Sequence, residues 1–152
     1  MVARILALLE DPELHAAMMG RFKRARHEVR IVQSLAQAKQ ALQEYSFDLI
    51  ISEVHLENGG SAFDFLTWVR SDPARRPIPF VLLSINQSDL GRFLEDDVRK
   101  AARHLGAAKY ISMKRLDPVL LAEELAPLLP GVPRLMKSGN DNSQDTDDAI
   151  RA

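Results

Sequence analysis

The chain has 152 residues, 46% of them hydrophobic and 27% charged, with a formal net charge of −1, which suffices for one globular domain with its own core. So even a charge balance gives no ground for general nucleic-acid or anionic-membrane binding. There is no cysteine, which excludes disulfides, thiolate metal sites and cysteine nucleophiles within this sequence.

The opening stretch Met1 to Glu10 is apolar but short, with no basic leader and no small-residue cleavage signal. Neither a secretory signal nor a membrane span is expected from it, and a cytoplasmic location is the expectation. Within it, Arg4-Ile5-Leu6-Ala7-Leu8-Leu9 reads as a strand buried on both faces. Glu10-Asp11-Pro12 ends that strand and opens a helix, with Asp11 as N-cap and Pro12 at the first helical position. The helix carries Leu14, Met18, Phe22 and Ala25 on one face and Arg21, Lys23 and Arg24 on a basic side. Glu28 to Val32 alternates as a second strand, and Ser34 with Gln37 forms a capping box for a helix holding Leu35, Ala38 and Leu42.

Phe47 to Glu53 is the third strand, and a glycine-containing loop, Glu57 to Ser61, leads to a helix with Phe63, Phe65, Leu66 and Val69. Ile78 to Ser84 is the fourth strand, with Pro79 near its start, where a missing N–H is tolerated. A long helix is predicted from about Ser88 to Leu105, its apolar face made of Leu90, Phe93, Leu94, Val98, Ala101 and Leu105. Ala108 to Ile111 gives a weak fifth strand, and Asp117-Pro118 opens a last helix through Leu120, Leu121, Leu125 and Leu128. One domain over residues 1–130 is expected, then a disordered polar tail over 131–152, the composition changing at Lys137. Five strands alternating with five helices predict an α/β fold, a doubly wound parallel sheet with helices on both faces.

In such a sheet, ligands gather beyond the carboxyl ends of the strands, where the strand order reverses. For the order 2-1-3-4-5 that point lies between the first and third strands, whose ends hold Glu10 and Glu53. Ser84 ends the fourth strand, and Tyr110 lies in the fifth, before a Ser112-Met113-Lys114 loop. Four segments in this order and spacing, Ile5 to Pro12, Phe47 to Glu53, Pro79 to Ser84 and Gly106 to Tyr110, resemble the receiver domain of bacterial response regulators. The resemblance runs from about Arg4 to Pro130 and is to the chemotaxis-regulator type, implying the flavodoxin-like receiver fold and a role in two-component signal transduction.

The receiver pattern has an acidic pair after the first strand, a phosphoacceptor Asp ending the third, Thr or Ser ending the fourth and Lys after the fifth. Carried over, these positions hold Leu9 and Glu10, Glu53, Ser84 and Met113, with Lys114 one residue beyond. The prolines usual after the acceptor strand and in the lysine loop are missing. Receiver phosphorylation needs a carboxylate nucleophile, a cation held by oxygen ligands and a positive charge against the phosphoryl group. One metal ligand and the lysine are lost, and the nucleophile is a methylene longer. The expectation is a non-enzymatic, degenerate pseudo-receiver, stand-alone because no output domain follows, that signals through phosphorylation-independent protein binding.

Two readings of Glu53 stay open. It is a partial phosphate mimic, one negative charge against about −1.5 to −2, with Ser84 donating to it and Tyr110 as a rotamer switch; or it is a solvated strand-end acid. Glu10 and Glu53 could share a weakly held Mg²⁺, but two carboxylates without a third ligand make a poor site, so no cofactor is expected. Asp11 belongs to the acidic pocket but reads first as an N-cap, His55 as a surface residue and Tyr110 equally as an edge aromatic. The cluster Arg21, Lys23, Arg24, Arg26 and Arg30 reads as a solvated face, with an acidic partner as the alternative.

The segment from Ser84 to Gly106 is about two helical turns longer than the receiver pattern. Its exposed candidates are Arg92, Asp96, Arg99, Lys100 and Arg103. The resemblance makes the face of the fourth helix, fifth strand and fifth helix the surface for a signalling kinase, regulator or output protein, or for a homodimer. Two rivals remain: a phosphorylatable atypical response regulator, with Lys114 turned inward, and a small α/β hydrolase or phosphatase using Glu10, Glu53 and Ser84. The latter lacks a glycine-rich phosphate loop, a nucleophile elbow and a well-placed histidine.

Overall fold

Five short apolar segments pair into one sheet in the computed structural model, which describes residues 2–56, 60–85 and 93–130. The strands are β1 (Arg4–Leu8), β2 (Glu28–Val32), β3 (Leu49–Glu53), β4 (Phe80–Ile85) and β5 (Lys109–Met113). Their order is β2-β1-β3-β4-β5, with every pairing parallel. The helices between them are α1 (Pro12–Arg24), α2 (Leu35–Glu44), α3 (Ala62–Arg70) and α4 (Glu95–His104). Helix α5 (Pro118–Leu125) follows β5 and runs into a 3₁₀ turn, Ala126–Leu128. This is the expected doubly wound α/β architecture.

Alternation along the strands divides the core in two, because successive side chains leave opposite faces. Ile5, Ala7 and Leu9 pack with Leu14, Met18 and Phe22 of α1 and with Leu121 and Leu125 of α5. Leu6 and Leu8 join Ala38, Phe65, Leu66 and Ala102, from α2, α3 and α4, on the other face. The middle strands are buried on both sides, as parallel sheets covered by helices require.

Local signals set the helix starts. Asp11 accepts a hydrogen bond from the Glu13 N–H at 2.9 Å, and Pro12 occupies the first turn. Asp117 and Pro118 repeat the device at α5, where Asp117 accepts from the Val119 and Leu120 N–H groups. Ser34 caps α2 through the Gln37 N–H, but the Gln37 side chain accepts from the Gln33 N–H, one residue before the cap. Helices α1 and α4 end alike. The His27 N–H bonds the Phe22 carbonyl and Arg26 N–H that of Lys23; Ala107 and Gly106 do the same to Ala102 and Arg103. This double bond needs a left-handed residue, supplied by Gly106 (φ 100°) in α4 and, less comfortably, by Arg26 (φ 63°) in α1.

Three expectations need correction. Strand β5 continues through Ser112 and Met113, because both pair with β4 opposite Ser84 and Ile85, so Met113 is not in a loop. The face of α4 differs as well: Phe93 (82% exposed) and Leu94 precede the helix, Ala101 is exposed, and the packing falls to Ala102, Val98 and Leu105. Leu120, assigned to the apolar face of α5, is exposed, while Leu121 and Leu125 carry that face. The stretch from Ser88 to Arg92, most of the loop from Glu57 to Gly59, and the tail from residue 131 lie outside the described residues. Among the described residues no helix is long and apolar enough to cross a membrane.

Candidate functional site

The carboxyl ends of β1, β3, β4 and β5 bring the predicted residues to one end of the sheet. Glu53 closes β3 and is half-buried, and its Oε2 accepts a hydrogen bond from the Glu10 N–H at 2.6 Å. The two residues therefore meet through Glu10's backbone. Burial pushes the Glu53 carboxyl above its ordinary pKa, and the Glu10 N–H opposes that shift. The charges of Glu10 and Asp11 raise it further, while the Asp11 N–H lowers it. Such a carboxylate is neither fully solvated nor free to turn without giving up its amide donors.

Beside it, Leu9 and Met113, which the resemblance sets against an acid and a lysine, are apolar and closed. Leu9 has no exposed surface and Met113 is 8% exposed, and both belong to the cluster between the sheet, α1 and α5. A single charge at either position would be buried unpaired, at a cost of several kcal/mol. Lys114 faces the solvent and makes no ion pair among the described residues. It lines a cleft of about 860 Å³ with Asp11, Glu13, Ile85, Glu95 and Leu116.

No group of three His, Asp or Glu side chains among the described residues is placed to hold a metal ion. Mg²⁺ demands near-octahedral oxygen coordination. Here the Glu53 oxygen is aimed at an N–H and the neighbouring ligand position is a buried leucine, so the residues do not fit the ion.

Ser84 does not donate to Glu53 as expected. Its hydroxyl is buried, and no hydrogen bond of adequate geometry satisfies it among the described residues. Strand alternation explains this: Ser84 follows Phe80 and Leu82 onto the α2–α3–α4 face, where Tyr110 also packs. Burial raises the Tyr110 phenol pKa; the nearby Ser84 hydroxyl lowers it, the Glu95 charge raises it and the Arg99 charge lowers it. Arg99 lies over the Tyr110 ring, its guanidinium carbon 4.7 Å from the ring centre, and Nη1 donates to the Tyr110 carbonyl at 3.3 Å. Its Nη2 pairs with Glu95 at 3.2 Å, and the Ser112 hydroxyl donates to the other Glu95 oxygen at 3.0 Å.

Glu95, Arg99, Tyr110 and Ser112 thus tie α4 to β5. Arg99 is committed to this network instead of standing free on the surface. Asp96, Lys100 and Arg103 are exposed, and Arg92 lies outside the described residues. Sequence reading missed Glu95 and Ser112, although the Glu95–Arg99 spacing of four residues was a usable signal. Asp11 is the cap described above, and His55 is exposed.

No protein-family model matches the sequence, and no curated protein matches it. Solved structures do. The chemotaxis response regulator CheY4 of Vibrio cholerae superposes with a TM-score of 0.72 at 21% identity, over 85% of this chain and 100% of that one. A putative response regulator from Chloroflexus aurantiacus gives 0.71 at 20% identity, over 84% and 98%. The receiver domain of a signal transduction histidine kinase from Syntrophus aciditrophicus gives 0.70 at 25% identity, over 90% and 97%. The chain has the receiver-domain fold. Within that fold, Glu53 closes β3 anchored on a backbone amide, and Leu9 and Met113 beside it are core.

Proposed function

We propose that this receiver-fold domain is a signalling module that acts by binding a protein partner, without being phosphorylated. The observation that carries the reading is the burial of Leu9 and Met113, which the resemblance sets at an acid and a lysine position, beside a Glu53 carboxylate already held by the Glu10 N–H. In-line phosphoryl transfer tolerates displacements of about 1 Å poorly. A longer acid engaged with an amide, lacking a cation on either side, is badly placed for it. On this reading the partner is a kinase, regulator or output protein of a two-component pathway. It meets the face of α4, β5 and α5, where Phe93, Lys100, Val119 and Leu120 are exposed.

The test is incubation with a small phosphodonor and Mg²⁺ followed by intact mass. No added phosphate is expected. A stoichiometric adduct would overturn the proposal and favour the phosphorylatable alternative, with the modified residue showing which side chain replaced the usual acceptor.

A further inference from the structure

The most uncompensated charge in the described residues stands away from the pocket, at the opposite end of the sheet. Arg21, Lys23 and Arg24 fill the last turn of α1, and Arg26 follows its cap. None of the four makes an ion pair among the described residues. Two acids at this edge are taken: Glu28 pairs with Arg4 at 3.3 Å and Glu124 with Lys109 at 3.5 Å. Part of this charge offsets the negative end of the helix dipole. That does not explain Arg26, which holds a left-handed conformation costing a non-glycine residue about 1–2 kcal/mol.

The same edge is where the chain leaves the described residues. Lys109 at the start of β5 donates to the Glu124 carbonyl near the end of α5, at 3.1 Å, so α5 finishes at the amino-terminal edge of the sheet. Helix α1 finishes there too, since the Ala3 N–H at the start of β1 donates to His27 Nδ1. The two helices pack together through Phe22, Leu125 and their neighbours. Beyond Pro130, residues 131–152 lie outside the described set. Their sequence holds Asp141, Asp145, Asp147 and Asp148 in eight residues with no basic residue among them.

We propose that this acidic segment, Asp141 to Asp148, docks within the same molecule on the basic end of α1. The reach is sufficient. A chain of 11–18 residues has a random-coil reach of about 17–25 Å, and α1, of 13 residues, is about 20 Å long. Tethering at that distance gives an effective concentration in the millimolar range, so a modest multi-charge attraction populates the docked form. Two other basic groups are poorer targets: Arg70 is spent on the carbonyls of Gly106, Arg76 and Ile78, and Lys114 shares its cleft with Asp11, Glu13 and Glu95.

The absence of cysteine makes the test clean, because Ser143→Cys gives a single site for a nitroxide spin label on the full chain. Amide signals of residues 21–30 should be lost selectively, and should return at about 0.5 M salt, where the screening length falls to about 4 Å. Changing the four aspartates to asparagine should also restore them. Arg26→Gly is the decisive second variant, since it relieves the helix end while removing a charge: it should raise Tm and weaken the broadening together. Uniform broadening, broadening centred on residues 114–116, or persistence in high salt overturns the proposal. So does selective broadening of an isotope-labelled, unmodified chain mixed with a spin-labelled one, which would place the contact between molecules.

Discussion

The two sides of the carboxyl-end pocket have been filled differently. Toward α1 and α5, Leu9 and Met113 are buried in a continuous apolar cluster. Toward α4, Ser84, Tyr110 and Ser112 keep their hydroxyls, and Glu95 and Arg99 link the helix to the strand. The side of Leu9 and Met113 is core, whereas the side that links the pocket to α4 is polar. Alternation along each strand keeps the apolar and the polar side on opposite faces of the sheet.

The largest expected effect breaks the apolar side. Leu9→Asp puts a carboxylate where no surface is exposed, and an unpaired buried charge of this kind costs about 3–5 kcal/mol. Met113→Lys should cost less, because a lysine stem at the strand end can carry its charge outward. If the two positions form one unit, the double variant should be more stable than the sum of the single losses by about 1–3 kcal/mol. Urea denaturation with an unchanged slope measures this. Strict additivity would mean that the two replacements are independent.

A smaller effect is expected on the polar side. Arg99→Ala removes an ion pair, a carbonyl bond and a stacking contact, all partly exposed, for a combined loss of about 1–2 kcal/mol. Because the Arg99 charge lowers the Tyr110 pKa, the same variant should shift phenol ionisation to higher pH. Ultraviolet titration in a Tyr45→Phe background reads Tyr110 alone. An unchanged titration would show that Arg99 does not hold the ring and that the network is packing only.

Much of this was legible in the sequence, and the failures have physical causes. Apolar runs in β1, β3 and β4 and the Asp-Pro pairs at Asp11 and Asp117 announce strands and helix starts, because local chemistry alone determines them. The strand order followed from the receiver resemblance. The details that depend on pairing did not. Met113 was assigned to a loop because its strand character comes from its partner Ile85 in β4. Ser84 was aimed at Glu53, although the two strand ends are staggered: Glu53 pairs with Leu83, and Ser84 points to the other face. Phe93 and Leu94 fit a helical period yet precede α4, where Glu95, Asp96 and Asp97 fill the first turn.

The finest test of the contrast lies at its boundary, Glu53. Burial raises its folded-state pKa above the unfolded value of 4.5, so the native protein binds this proton more tightly than the unfolded chain does. Between those two values the native state holds more protons, and stability from this group falls as pH rises. The penalty is absent below the unfolded pKa and complete above the folded one. Glu53→Gln keeps an oxygen to accept the Glu10 N–H and removes the titration. The variant should therefore match the wild type in Tm at low pH and exceed it slightly near neutrality. The opposite result, a wild type that gains stability through the same window, would mean that the amide donors outweigh burial. Glu53 would then be a carboxylate stabilised as an anion, as the phosphate-mimic reading requires, and the boundary between the two sides would shift to leave Glu53 with the polar one.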